Sequence, residues 1–150
     1  MTVTVRAVKK EDEEKWRHYW DLYNQFYERT IPEETTAITW SRFLDDKVDL
    51  FCAVAEDDAS NEVIGFVTWF PHLSTSKPKG VVYLNDLFVD PDVRSAGTGG
   101  KLIEHVYEHS KSELDTASVY WHTQHFNHRA QLLYVKKGTK TDFVQYSKNL

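Results

Sequence analysis

Apolar and polar residues alternate along this chain at two periods, and the periods divide it into strands and helices. Residues 3–8 alternate every second position and predict a first strand. Over 11–28, Trp16, Tyr19, Trp20, Tyr23, Phe26 and Tyr27 recur at spacings of three and four. That spacing lines one face of a helix. Pro32 then breaks the chain, and 33–45 predicts a shorter helix carrying Ile38, Phe43 and Leu44. Residues 49–56 and 62–70 are strands around the turn signal Asp57-Asp58-Ala59-Ser60-Asn61. After a loop from Pro71 to Gly80 comes an apolar strand, 81–89, closed by Asp90-Pro91. A glycine-led helix to about 112 follows, then a strand from Ala117 to His122. A helix over 128–137 ends at Gly138, with Lys136 and Lys137 suited to its C-terminus. Thr141 to Ser147 predicts a last strand.

The predicted order is β-α-α-β-β-β-α-β-α-β, an α/β chain with a mixed sheet. The strand over 81–89, its helix and the next strand form one right-handed βαβ unit.

Bulk properties narrow the picture. At 150 residues, with 41% apolar and 14% aromatic content, the chain is expected to form one folded domain, 1–150. No apolar run reaches membrane-spanning length, and the N-terminus does not resemble a signal peptide. One cysteine, Cys52, excludes an internal disulfide framework, so a cytoplasmic or nuclear setting is expected. A net charge of -5 argues against a nucleic-acid binder. Acidic clusters at Glu11–Glu14, Glu33-Glu34, Asp45-Asp46 and Glu56–Asp58 suit solvated faces and helix starts. They would equally draw in a cationic amine.

The most chemical segment is Val93-Arg94-Ser95-Ala96-Gly97-Thr98-Gly99-Gly100-Lys101. It joins an apolar strand to an amphipathic helix, an arrangement that aims backbone N–H groups at an anion. Ser95 and Leu102 stand where a Walker loop needs glycine and a hydroxyl, so the run is not a triphosphatase loop. Leu102 also stands where a dinucleotide fingerprint needs its third glycine. A phosphate-bearing ligand of another kind is expected on Arg94, Ser95, Ala96, Gly97, Thr98, Gly99 and Gly100.

Arg94-x-x-Gly97-x-Gly99 resembles the pyrophosphate loop of the GNAT superfamily of acetyl-CoA-dependent N-acetyltransferases. Asn127-x-x-Ala130-x-x-Leu133-Tyr134 followed by Gly138 resembles that superfamily's closing motif, with Thr139 where an aromatic is usual. The element order is similar too, so the resemblance covers essentially the whole chain. It implies acetyl-CoA as co-substrate and no metal. It also implies Asn127 on the pantetheine arm, Tyr134 beside the CoA sulfur as general acid, and main-chain N–H groups of Leu87, Phe88 and Val89 on the pantetheine and thioester. By itself, Asn127 reads as a helix N-cap and Tyr134 as a core tyrosine.

Acetyl transfer to an alkyl amine needs proton chemistry. Freeing the neutral nucleophile at pH 7 costs about 4–5 kcal/mol for a group of ordinary pKa ~10.4. Asn85 and Asp86 are polar residues inside the apolar strand 81–89. Burying Asp86 requires a partner, a raised pKa or a wet cleft. Either it bonds neighbouring backbone or Arg6, or it binds or deprotonates the amine. The resemblance places the base at Asn85 or Asp86, with water as an alternative relay. Tyr23 and Tyr27 are core residues by spacing and substrate-cleft walls by resemblance. His122, His125 and His128 span a strand end, a loop and a helix start, so their spacing does not make a metal site.

The runs 83–90, 118–123 and 127–136 are similar to a small fungal branch of histone, polyamine and D-amino-acid acetyltransferases. Diamine acetyltransferases are next nearest. The branch implies a primary amine of a polyamine or amino acid as acceptor, or a histone lysine. A non-catalytic acyl-CoA-binding module is the remaining reading. The twelve residues after Gly138 allow one further strand. Its open edge, with Phe143, Val144 and Tyr146, is expected to pair across a homodimer.

Overall fold

The computed structural model describes residues 1–93 and 97–150. Arg94, Ser95 and Ala96, the first half of the expected phosphate loop, lie outside the described residues. The elements are β1 (Val3–Ala7), a 3-10 turn at Lys10–Asp12, α1 (Glu13–Phe26), α2 (Glu33–Phe43), β2 (Phe51–Asp57), β3 (Val63–His72), β4 (Val81–Val89), α3 (Thr98–Ser112), β5 (Val119–Tyr120) and α4 (His128–Lys137). The sheet runs β1-β2-β3-β4-β5, antiparallel until β4 meets β5 in parallel.

Alternation along the strands sends side chains to opposite faces, and a different core grows on each. One face packs Ala53, Ala55, Val67, Val82 and Leu84 against Leu102, Ile103 and Val106 of α3. The other packs Val54 and Phe66 against Trp16, Tyr19, Trp20 and Tyr23 of α1 and Trp40 of α2. The aromatic stripe predicted for α1 is this second core, except for Phe26, which is exposed. Trp16 stacks on Trp20 at 5.5 Å and meets Phe43 edge-on at 5.3 Å. Such pairs are each worth about 0.5–1.5 kcal/mol beyond burial. Trp20 Nε1 donates to the buried Thr36 Oγ1 at 3.1 Å, which pins α2 to α1.

Arg6 is fully engaged away from β4. It grips Asp12 with two nitrogens at 2.8 and 2.9 Å and reaches Glu56 at 2.7 Å. That fastens β1 to the start of α1 and removes Arg6 as a partner for Asp86.

Two expectations change at the C-terminal end. The fifth strand is shorter than predicted, Val119–Tyr120 rather than Ala117 to His122. The chain leaves β4 after two paired residues because β4 and β5 diverge there. Thr141 to Ser147 forms no strand, and its residues are exposed, Phe143 at 89% and Tyr146 at 92%. A β-propensity run needs an edge to pair with, and this segment meets none among the described residues.

Candidate active site

One side of the candidate site lies where the sheet comes apart. β4 and β5 pair only at Val82–Val119 and Tyr83–Tyr120. Beyond that point the β5 side of β4 has no strand beside it among the described residues. Asp90 N–H donates to Ile64 O across β3 at 2.8 Å. Successive amides in a strand alternate sides, so Phe88 N–H also faces β3, and the N–H groups of Leu87 and Val89 face the gap. The expected role for Phe88 main chain is thereby corrected. Its ring belongs to the aromatic core, 5.5 Å from Tyr19 and 6.4 Å from Tyr23.

Gly97 caps α3 in the left-handed region, φ 84, with open space on its Cα. A side chain there would be strained by its backbone, not by a neighbour. The first helical bond of α3 runs from Lys101 N–H to Gly97 O at 2.9 Å. Thr98, Gly99 and Gly100 carry the N–H groups of the helix start, which have no partner among the described residues and lie where the dipole is positive. Gly99 has a second duty that its motif did not suggest. A Cβ on it would lie 3.0 Å from Leu133 Cδ2, and one on Gly100 would lie 3.2 Å from Lys137 Cε. These two glycines let α4 dock on α3.

α4 begins at Asn127, whose Oδ1 accepts the Ala130 N–H at 3.2 Å. Its C-terminus is held by the Tyr107 hydroxyl, which donates to Lys137 O at 2.6 Å. Between them Tyr134 is half-buried, edge-on to Trp121 at 5.6 Å. Its hydroxyl has no hydrogen-bond partner among the described residues. Burial, with the neighbouring Tyr27 phenol second, pushes its pKa up to about 12. A phenol held neutral and unpaired is free to donate to a leaving group.

The acceptor side centres on Asp86. Thr68 pairs with Asp86 and Trp69 with Leu84, so Asn85 is the extra residue of a β-bulge. The bulge sends Asp86 to the aromatic face of the sheet, buried at 9% exposure. The Thr68 hydroxyl donates to its carboxylate. The Tyr23 hydroxyl lies beside it and reaches Asn85 O at 3.5 Å. Burial raises the Asp86 pKa, against the opposing pull of Thr68, Tyr23 and the Arg29 charge. Burial and Asp86 together likewise push the Tyr23 hydroxyl up.

Asp86 and Asn85 form part of the wall of a cavity of about 480 Å³ between the sheet and the α1–α2 pair. That volume suits a small molecule. Its wall also includes Trp20, Thr68, Arg29 and Arg42. Tyr23 and Tyr27 are not on this wall. They stand behind it, edge-to-face at 5.0 Å, with the Arg29 guanidinium over both rings at 5.7 and 5.2 Å.

The sequence reading missed Thr68, Arg29 and Asn24. Thr68 looks like an ordinary strand residue and acquires its role only by pairing with Asp86. Arg29 follows the end of α1, and nothing local shows that it folds back. The one available signal was Asn24, a polar residue inside an otherwise apolar helical stripe.

The sheet parts at β4–β5, the glycine-rich start of α3 carries the positive end of its helix dipole, and the buried Asp86 lies on β4. The chain belongs to the Acetyltransferase (GNAT) family, which it matches over residues 14–138. It is therefore an acetyl-CoA-dependent N-acetyltransferase in class. It is 44% identical to the D-amino-acid N-acetyltransferase HPA3 of Saccharomyces cerevisiae, over 98% of this chain and 91% of that one. It is 27% identical to the uncharacterized N-acetyltransferase YhfO of Bacillus subtilis, over 99% of this chain and 98% of that one. In fold it is similar to AAC(6')-Iy in complex with a CoA bisubstrate analog, with TM-score 0.79, 20% identity and full coverage of both chains. A probable acetyltransferase is similar at TM-score 0.82 and 22% identity, covering 100% of this chain and 98% of that one.

Proposed function

We propose that this enzyme moves the acetyl group of acetyl-CoA to the primary amine of a small molecule, an amino acid or a polyamine. The observation that carries this reading is Asp86. A carboxylate with a raised pKa, held by Thr68 on the wall of a 480 Å³ cavity, suits an incoming ammonium group. The likeness to a D-amino-acid acetyltransferase supports an amino acid, D-configured ones included.

In this reading the ammonium gives one proton to Asp86. The nitrogen lone pair attacks the thioester carbonyl carbon, and the C–N bond forms. The N–H groups of Leu87 and Val89 stabilise the oxyanion. The C–S bond then breaks, its electron pair leaves on sulfur, and Tyr134 protonates the thiolate. The nitrogen's second surplus proton restores the tyrosine through solvent. The products are the amide, CoA thiol and one released proton. The start of α3 holds the pyrophosphate, and Asn127 lies along the pantetheine.

The exposed C-terminal segment, with Phe143, Val144 and Tyr146, is proposed to pair across a homodimer. A monomer mass by light scattering at micromolar concentration, with activity retained, would refute that.

The acceptor is tested by CoA release over a panel of D- and L-amino acids, polyamines and a basic histone-type peptide. Turnover is expected on a small amine and not on the peptide. Turnover on the peptide alone would make the enzyme a protein-lysine acetyltransferase. Turnover on none would leave an acyl-CoA-binding module.

A further inference from the structure

The end of α1 is folded around one arginine. The N–H of Arg29 donates to Asn24 O at 2.9 Å and that of Glu28 to Gln25 O at 3.0 Å. This is a Schellman closure, whose turning residue takes the left-handed conformation and is usually glycine. Here it is Glu28, at φ 54. A side chain in that conformation is strained. The closure turns the chain so that Arg29 lies back over its own helix.

The side chain is then fixed from three sides. Asn24 is buried, and its Oδ1 accepts from Arg29 Nε at 3.1 Å and Nη2 at 2.8 Å. Asn24 is itself held, because its Nδ2 donates to Trp20 O at 2.9 Å. Tyr23 and Tyr27 supply ring faces to the guanidinium. No carboxylate pairs with Arg29 among the described residues. Asn24 occupies one edge of the guanidinium, and Nη1 has no hydrogen-bond partner among the described residues. The guanidinium borders the cavity whose wall includes Asp86.

From this geometry we infer that Arg29 binds a carboxylate of the acceptor while Asp86 receives its amine. The inference rests on the acetyltransferase reading of the cavity and adds which amines it selects. A cavity made for a polyamine would gather carboxylates and exclude fixed cations. This one is lined by two carboxylates, Asp49 and Asp86, and by two arginines, and it sets the fixed Arg29 against the buried Asp86, the complement of an amine that carries an acid. Planar guanidinium matches carboxylate geometry, and its prior immobilisation reduces the entropy lost on binding. Arg42 also borders the cavity but has no hydrogen bond fixing it among the described residues, so Arg29 is the specific reader.

The test compares a D-amino acid with its own primary amide, first in the wild-type protein. The acid should exceed the amide in kcat/KM by at least 50-fold, mostly through KM. In Arg29→Gln, turnover of the acid should fall at least 50-fold and that of the amide less than tenfold, so the preference collapses. Arg29→Lys should recover part of the preference, because it keeps the charge and loses the fork. Asp86→Asn should depress both substrates together and leave their ratio. Equal turnover of acid and amide by wild type, or an equal loss on both in Arg29→Gln, overturns the inference and leaves the acetyltransferase reading standing. Calorimetry separates the opposite failure. A protein that acetylates neither compound, yet binds the acid tenfold tighter than the amide and loses this in Arg29→Gln, upholds Arg29 and sinks the small-amine reading.

Discussion

The two faces of the sheet are built from different materials. The α3 side is packed mainly with Val, Leu, Ile and Ala around the buried Trp69, and its close approaches are made by glycines 99 and 100. The α1–α2 side is packed with Trp, Tyr and Phe, and buries Asn24, Thr36, Thr68 and Asp86 among them. Aliphatic side chains offer volume and nothing to recognise. Aromatic ones bring hydroxyls, ring faces and indole N–H groups that hold polar neighbours in place. In the proposed reading the first face presents main chain to the acetyl-CoA, whereas the second presents positioned side chains to the acceptor.

Substitutions on each face should separate these roles. The largest effect is expected from Asp86→Asn, which keeps shape and removes the base. It should lower kcat/KM for the amine about 10²–10⁴-fold with acetyl-CoA affinity retained. Steady-state kinetics at saturating acetyl-CoA checks this, and a near-wild-type rate would hand the proton transfer to water. Tyr134→Phe should reduce kcat by roughly 10- to 1000-fold at unchanged acetyl-CoA affinity. A rate equal to wild type would make Tyr134 a packing residue against Trp121.

On the cofactor face, Gly97→Val should weaken acetyl-CoA binding at least ~10-fold through backbone strain at the start of α3. Gly99→Val should instead push Leu133 away and lower stability and kcat together. Calorimetry and thermal melting on the pair tell strain from packing. Identical behaviour of the two variants would erase the distinction.

The smallest effect concerns pH and stability. The folded pKa of Asp86 lies above its ordinary value of 3.8 because burial penalises its charge. As pH rises past 3.8, the unfolded chain releases this proton before the folded one does. Asp86 therefore costs stability at neutral pH, and the cost disappears as pH falls below the unfolded value. Asp86→Asn should melt above wild type at pH 8, with the gap closing toward pH 3. A variant that melts lower at pH 8 would mean that the Thr68 bond outweighs the burial penalty.

Periodicity made the elements legible. The stripe from Trp16 to Tyr27 gave α1, and the glycine run marked the head of α3, because both signals are local. Asp86 was legible for the same reason, as a charge in an apolar strand. The bulge at Asn85 was not, since an extra residue is defined only against the pairing of β3. Thr141 to Ser147 carries strand chemistry without a partner edge, so propensity misled there. Arg29 was invisible because its position depends on Glu28 adopting an uncommon conformation and on Asn24 being buried. The assignments to Arg94, Ser95 and Ala96 lie outside the described residues.

The parting of β4 from β5 has a consequence for how such an enzyme diversifies. The N–H groups that Leu87 and Val89 turn toward that gap belong to the main chain, and any substitution but proline leaves them in place. The opposite cavity is walled by side chains, and each one can be exchanged singly. A lineage carrying this sheet can therefore keep its acyl donor through long drift while changing its acceptor one codon at a time.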